Sequence, residues 1–147
     1  MTDSRDHRRS RVVTVIVPGL ITRSLGRGSA ATERGSTELE RPVPMDRFRP
    51  NIVVDGCAPR AEDGWESMTI GDVVFTVVKP CARCVITTTY QRTGQRTPEP
   101  LRALATYRSR KGAVLFGQNL VHSGRGEIRV GDVCLIEPRR GDAESYT

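Results

Sequence analysis

Long apolar runs are missing from this 147-residue sequence. The longest candidate, Val12 to Ile21, is cut by Pro18 and Gly19 and falls short of the roughly 20 residues a membrane helix needs. No membrane span is expected. The same segment follows Arg8, Arg9 and Arg11, as the apolar part of a secretory leader would, but its β-branched content suits a strand better, so a cytoplasmic location is expected. Aromatic residues are also scarce, with one Trp, three Tyr and three Phe, and they are not interleaved with basic residues as a stacking platform for nucleic acid requires. Nucleic acid is therefore not an expected partner. Lysine is nearly absent: of the 23 lysines and arginines only Lys79 and Lys111 are lysine, so the net charge of +6 is carried by guanidinium groups. That charge suits an anionic cofactor as well as it suits a solvated basic surface. Finally, four cysteines (Cys57, Cys81, Cys84, Cys134) without an export signal argue for thiols or metal ligands over a disulfide framework.

What remains describes one soluble domain: 37% hydrophobic and 27% charged residues over a length that supports a single core. Residues 1–40 read as a weakly ordered arm carrying one strand candidate, Val12 to Val17. Arg41 to Asp46 is a proline-stiffened lead-in to the folded part, residues 41–138, and residues 139–147 form a tail. A short buried strand is expected at Asn51 to Asp55. Ser67 to Ile70, the pair Gly71-Asp72, and Val73 to Val78 spell a hairpin, because glycine first in a two-residue loop suits a type II′ turn. The same pattern returns as Glu127 to Val130, Gly131-Asp132, and Val133 to Ile136, so a second hairpin is expected. Between them lie a strand from Cys84 to Tyr90, a loop at Thr93-Gly94, and a helix from about Pro100 to Arg108 with Leu101, Leu104 and Ala105 on one face. Val114 to Val121 makes another strand, interrupted at Gly117. Many short strands, one helix and no strand–helix alternation predict a mostly β fold closed as a small barrel, and argue against a Rossmann-like sheet.

The stretch with most chemistry is Lys79-Pro80-Cys81-Ala82-Arg83-Cys84, leading into the β-branched run Val85-Ile86-Thr87-Thr88-Thr89. A thioredoxin-like dithiol would need a helix N-terminus after the pair, and a strand is expected there instead. A structural zinc site would need about four ligands, and Cys57, Cys134 and His122 are scattered. The two cysteines could equally be small buried residues. A single thiolate ligand is a fourth reading, since Lys79 and Arg83 favour ionised sulfur, which soft transition metals prefer.

Around this stretch, Met45-Asp46-Arg47-Phe48-Arg49-Pro50-Asn51-Ile52-Val53-Val54, Glu62-Asp63-x-Trp65, Ile70-Gly71-Asp72, Thr93-Gly94, Glu99-Pro100-Leu101, Leu104, Tyr107-Arg108 and Leu115-Phe116-Gly117-Gln118-Asn119 follow in the order seen in MOSC domains. The sequence from about Arg41 to Glu137 resembles the C-terminal part of that β-barrel family, which includes molybdenum-cofactor sulfurases and reductases of N-hydroxylated compounds. The resemblance implies binding of the molybdenum cofactor, an anionic pyranopterin phosphate, with Cys84 as both metal ligand and catalytic residue. It further implies that Arg49, Asn51, Arg83 and Asn119 contact the cofactor, Gly117 letting the backbone come close beside Asn119. Arginine forks match phosphate, and an asparagine amide can donate to and accept from a pterin ring. For Arg47 and Arg49 the alternative is a bridge between strands to Glu62 or Asp63.

The implied activity is that of an oxidoreductase module reducing N-hydroxylated compounds, with electrons from a flavoprotein or ferredoxin-type partner. The alternative is a non-catalytic cofactor or sulfur carrier of the sulfurase type. Ala82 stands where relatives often have serine, and Tyr90 where an acidic residue is common. Residues 1–40 do not resemble the family's N-terminal β domain, so the expectation is a minimal member of the family, a truncated or mis-started chain, or a subunit whose site a partner domain completes.

Overall fold

The structure, a computed structural model, describes residues 12–16 and 43–141. Most of the arm, the Arg41-Pro42 start of the lead-in and the end of the tail lie outside the described residues. Seven strands, one α-helix and three short 3₁₀ turns make up the rest. The strands are β1 (Val12–Ile16), β2 (Ile52–Val53), β3 (Trp65–Ile70), β4 (Val73–Arg83), β5 (Ser109–Arg110), β6 (Ala113–Ser123) and β7 (Cys134–Pro138), with α1 at Leu101–Arg108. The order across the sheet is β2-β1-β6-β4-β3-β7, with β5 on β6, and the sheet curls into a half-barrel. The mostly β architecture with one short helix is thus observed. Among the described residues its outer strands, β2 and β7, do not pair with each other.

The first hairpin forms as its sequence predicts. Gly71 takes a φ of 56°, which a side chain would strain, and the register then sets Ile70 opposite Val73 and Met68 opposite Phe75. All four are buried, while Val74 and Thr76 point outward. This period-2 alternation places one face of the pair on a core of Val15, Val54, Trp65, Met68, Ile70, Val73, Phe75 and Leu120.

The second hairpin does not form. A turn forms one residue earlier than expected, over Arg129–Asp132 with Val130 and Gly131 at its centre; the Asp132 amide donates to Arg129 O at 3.1 Å and its carboxylate accepts from the Arg129 amide at 2.7 Å. Glu127 to Val130 is not a strand, however, and β7 pairs antiparallel with β3, Cys134 opposite Ile70. The free edge of β3 offers Cys134 and Ile136 a buried surface that Ile128 and Val130, both exposed, could not supply. The expected strand at Asn51 to Asp55 shrinks to Ile52–Val53, held parallel to β1, with Val53 exposed.

Strand β6 runs unbroken through Gly117, which bends it without interrupting it. At φ 79° a Cβ there would lie 2.7 Å from Val15 O and 2.8 Å from Ile16 Cγ1, so only glycine lets β1 and β6 come this close. Over the other face of the sheet, Ile16, Val43, Phe48, Leu104 and Phe116 form a second core cluster. The Glu99 carboxylate caps α1, accepting from the Ala103 amide at 3.0 Å and pairing with Arg102 at 2.7 Å. Ala103 and Leu104 are the buried positions of this helix; Ala105, expected on the same face, is exposed because the short helix meets the sheet along a narrower stripe.

Candidate functional site

Strand β4 stops one residue before Cys84. The expected strand from Cys84 to Tyr90 is instead a 3₁₀ turn, Val85–Thr88, entered from an extended Cys84. The threonines explain the difference. Thr87 donates to Cys84 O through both its amide (3.1 Å) and its hydroxyl (2.9 Å), and the Thr88 hydroxyl donates to Val85 O at 2.5 Å. Side-chain hydroxyls that reach back three residues offer the backbone an alternative to a sheet ladder, and here they outweigh β-branched propensity. Cys84 is left exposed at the corner.

Two arginines fix that corner. Arg47, 1% exposed, donates from Nε to Thr87 O at 2.8 Å and from Nη2 to Glu99 O at 2.7 Å, with its guanidinium 4.0 Å from the centre of the Tyr90 ring. It ties the 3₁₀ turn Met45–Phe48 to the cysteine turn. Arg83 spans the same two regions, donating from Nη1 to Phe48 O at 2.7 Å and from Nε to Phe116 O at 2.8 Å. Its Nη2 is buried and has no hydrogen-bond partner. Burial pushes the Arg83 guanidinium below the ordinary arginine value, while charge on Cys81 and Cys84 acts in the opposite direction. Both thiols therefore lie within electrostatic reach of this one cation.

The bridges proposed to Glu62 or Asp63 are not what Arg47 and Arg49 make. Arg47 goes to carbonyls, because it is enclosed by turns whose oxygens need donors. Arg49, exposed and at a left-handed φ of 50°, donates to Gln91 Oε1 at 3.3 Å, and Gln91 Nε2 in turn donates to Asp46 O at 2.9 Å. Asp63 pairs bidentately with Arg108, at 2.6 and 3.0 Å, and accepts from Gln118 Nε2 at 2.8 Å.

Asn51 and Asn119 meet through Thr14. The Thr14 amide donates to Asn51 Oδ1 at 2.9 Å and its hydroxyl to Asn119 Oδ1 at 3.2 Å, while the Asn51 amide donates to Thr14 O. Asn119 lies directly opposite both Thr14 on β1 and Lys79 on β4. Thr14 shares its face of β1 with Ile16, which belongs to the cluster containing Phe48 and Phe116. Asn51, Asn119 and Lys79 are thus on the side of the sheet where Arg83 lies against the Phe48 ring. What approaches at Gly117 is the Val15 carbonyl and Arg83, whose Nη2 would sit 3.1 Å from a Cβ there; the close approach expected for a cofactor is taken by the protein itself.

The structure therefore gathers Arg83 and Cys84 at one corner, sets Arg49 just beyond the Phe48 carbonyl that Arg83 holds, and joins Asn51 to Asn119 along the same face. Sequence reasoning missed Thr14, whose link to both asparagines depends on register, and the roles of Gln91 and of Arg47 as a clamp. Lys79 was visible only as a neighbour of the cysteines. Among the described residues no group of three or more His, Cys, Asp or Glu side chains could hold a metal ion, so a multi-ligand zinc arrangement has no counterpart there. No helix among them is long and apolar enough to cross a membrane.

Comparison with known proteins matches residues 28–134 to the family described as MOSC domain. The chain is 42% identical over 86 residues to a molybdenum cofactor sulfurase of Oryza sativa, covering 57% of this chain and 10% of that protein. It is 42% identical over 110 residues to the human mitochondrial amidoxime-reducing component 1, covering 69% of this chain and 33% of the relative. The mouse counterpart gives 41% over 116 residues, 73% of this chain and 34% of the relative. The chain thus spans about a third of the amidoxime-reducing components and a tenth of the sulfurase.

Proposed function

Since the chain belongs to the MOSC domain family, we propose that it is a molybdenum-cofactor-binding module that takes part in the reduction of N-hydroxylated compounds, with electrons delivered by a flavoprotein or ferredoxin-type partner. The observation that carries this reading is the pairing of an exposed Cys84 thiol with Arg83, whose buried Nη2 has a donor to spare. The donor set fits the group: one soft sulfur for the metal, and cationic and amide groups for an anionic pterin phosphate.

In this reading Cys84 is the ligand, with the Arg83 guanidinium beside it. Arg83 is held by two backbone carbonyls, so its remaining N–H groups can donate without further loss of side-chain freedom. Arg49, exposed on its left-handed residue, supplies a second guanidinium for phosphate. Asn51 and Asn119 present their amide groups from positions that Thr14 fixes. Bound there, the cofactor would supply the two-electron redox chemistry, while these residues bind and orient it. Similarity to amidoxime-reducing components supports the reductase reading, and the sulfurase similarity supports the alternative of a carrier with a persulfide on Cys81 or Cys84.

Metal analysis of protein purified from a cofactor-competent host tests the proposal. Molybdenum should co-purify with the wild type and be lost in Cys84→Ser; molybdenum absent from the wild type, or equal in both, rejects it. A labile sulfur adduct on either cysteine by mass spectrometry, without turnover of hydroxylamino substrates, would select the carrier.

A further inference from the structure

The turn after Cys84 inverts the ordinary preference for burial. Val85 and Ile86 are 55% and 50% exposed and Tyr90 is 39% exposed, while Thr87 and Thr88 between them are buried, drawn inward by their hydroxyl bonds to Cys84 O and Val85 O. The surface that results is braced. The Tyr90 amide donates to Gln95 O and the Gly94 amide to Tyr90 O, both at 2.8 Å, and the Thr97 amide donates to Thr88 O at 2.9 Å, closing residues 88–97 into a loop. Gln91 ties this loop to Arg49 and to Asp46 O. Three guanidiniums accompany the apolar residues: Arg49 on Gln91, Arg92 next in the loop, and Arg96 bridged opposite Thr89, all exposed. In residues 45–49 and 84–97 Asp46 is the sole acid.

We propose that this surface docks an acidic protein and, resting on the function proposed above, that this protein is the electron donor, a small acidic one-electron carrier. An apolar centre within a charged rim is the anatomy of a specific interface, and Tyr and Arg are residues such interfaces favour. A cationic rim selects an acidic one. A second copy of this chain is disfavoured, because it would set the same guanidiniums against each other. Nucleic acid is disfavoured because stacking needs open aromatic faces; the one ring here, Tyr90, already has the Arg47 guanidinium 4.0 Å from its centre. Electron-transfer encounters bury less than about 1,200 Å², a size that three apolar side chains and their rim suit. Val85 adjoins Cys84, so a carrier seated here is brought to the residue that holds the metal in that reading. Two encounters deliver two electrons, which with two protons from solvent convert an N-hydroxyl group into N–H and water.

The full chain is purified from a cofactor-competent host, its molybdenum content is measured, and the same sample is titrated calorimetrically with an acidic [2Fe–2S] ferredoxin. One-to-one binding is expected at about 10 mM salt, weakening steeply toward about 1 M as the screening length falls from about 30 to about 3 Å. Arg92→Glu/Arg96→Glu should weaken binding at low salt by at least about tenfold, and Arg92→Lys/Arg96→Lys should retain it. Val85→Ser/Ile86→Ser should weaken it several-fold at each salt concentration. Arg49 is left unchanged because the cofactor reading uses it. The site is overturned if ferredoxin does not bind at low salt, if charge reversal has no effect, or if a basic cytochrome c binds equally well. It is also overturned if phosphatidylglycerol vesicles or single-stranded DNA bind through Arg92 and Arg96 while ferredoxin does not. Docking without molybdenum in the sample supports the acidic-protein site and rejects the cofactor reading; molybdenum without docking does the reverse.

Discussion

Gly71-Asp72 and Gly131-Asp132 sit between nearly identical patterns of β-branched and polar residues, yet only the first closes a hairpin. Around Gly71 the inward positions Met68, Ile70, Val73 and Phe75 are all buried, so pairing the segments with each other also builds the core. Around Gly131 the preceding residues Ile128 and Val130 stay exposed, and the following strand pairs with β3 instead. Turn chemistry sets a bend; the surface available for burial chooses the partner. The run after Cys84 makes the same point from the opposite side, since its strand-forming residues find hydroxyl and guanidinium partners that favour a tight turn.

The sharpest way to break this comparison is to truncate one side chain in each segment. Phe75→Ala should destabilise the fold by about 3–5 kcal/mol in urea unfolding. Leu135→Ala, on the strand after the second turn and largely exposed, should stay within about 0.5 kcal/mol. Equal losses would mean that burial does not separate the two regions. Next in size is Arg47→Met, which leaves the Thr87 carbonyl without its side-chain donor and the Glu99 carbonyl with the Thr97 hydroxyl alone, the lost buried partner costing about 1–3 kcal/mol. Its thermal unfolding should shift down, and labelling of Cys84 should change in rate as the corner loosens. Gly71→Ala, forced to a φ of 56°, should cost about 1–2 kcal/mol. Gly131→Ala, forced to a φ of 98° with no atom within 4 Å of the added methyl, should cost a similar amount through backbone strain alone.

The smallest effect separates the cysteines. The thiol of Cys134, pushed up by burial, should remain mostly protonated at the pH of about 8.5 where an ordinary thiol is half ionised, so its alkylation lags behind that of exposed Cys84 and keeps accelerating above that pH. The sign for stability follows. Above the ordinary thiol value the unfolded chain has released this proton while the folded chain retains it, so the contribution of Cys134 to stability falls as pH rises. Mass-spectrometric labelling at several pH values, beside unfolding curves, reads both effects.

Much of the fold was legible in the sequence because it rests on local period. The hairpin at Gly71, the helix starting at Pro100 and the strand at Val12 all follow from alternation or from proline and glycine placement. The partner of β7 was not legible, since choosing β3 depends on an edge formed far away in sequence. At the candidate site, Arg49, Asn51, Arg83, Cys84 and Asn119 could be named from motif order. What holds them could not. From the motif alone Arg47 reads as a strand bridge to Glu62 or Asp63, and only the fold shows it buried against carbonyls; Thr14 is one hydroxyl within a run of valines. Only the bulges that shift β4 against β6 bring Lys79 opposite Asn119.

Thr14 carries a consequence of its own. Its amide engages Asn51 and its hydroxyl engages Asn119, so two residues from distant parts of the chain have become one mechanical unit. Substitutions of the two asparagines should therefore be non-additive, each already disturbing what the other relies on. A slip of β1 by a single residue would put Val13 or Val15 in place of Thr14 and break both side-chain bonds together. Assembly of this face is in that sense all or none: the asparagines are set only when the N-terminal strand docks in its one correct register.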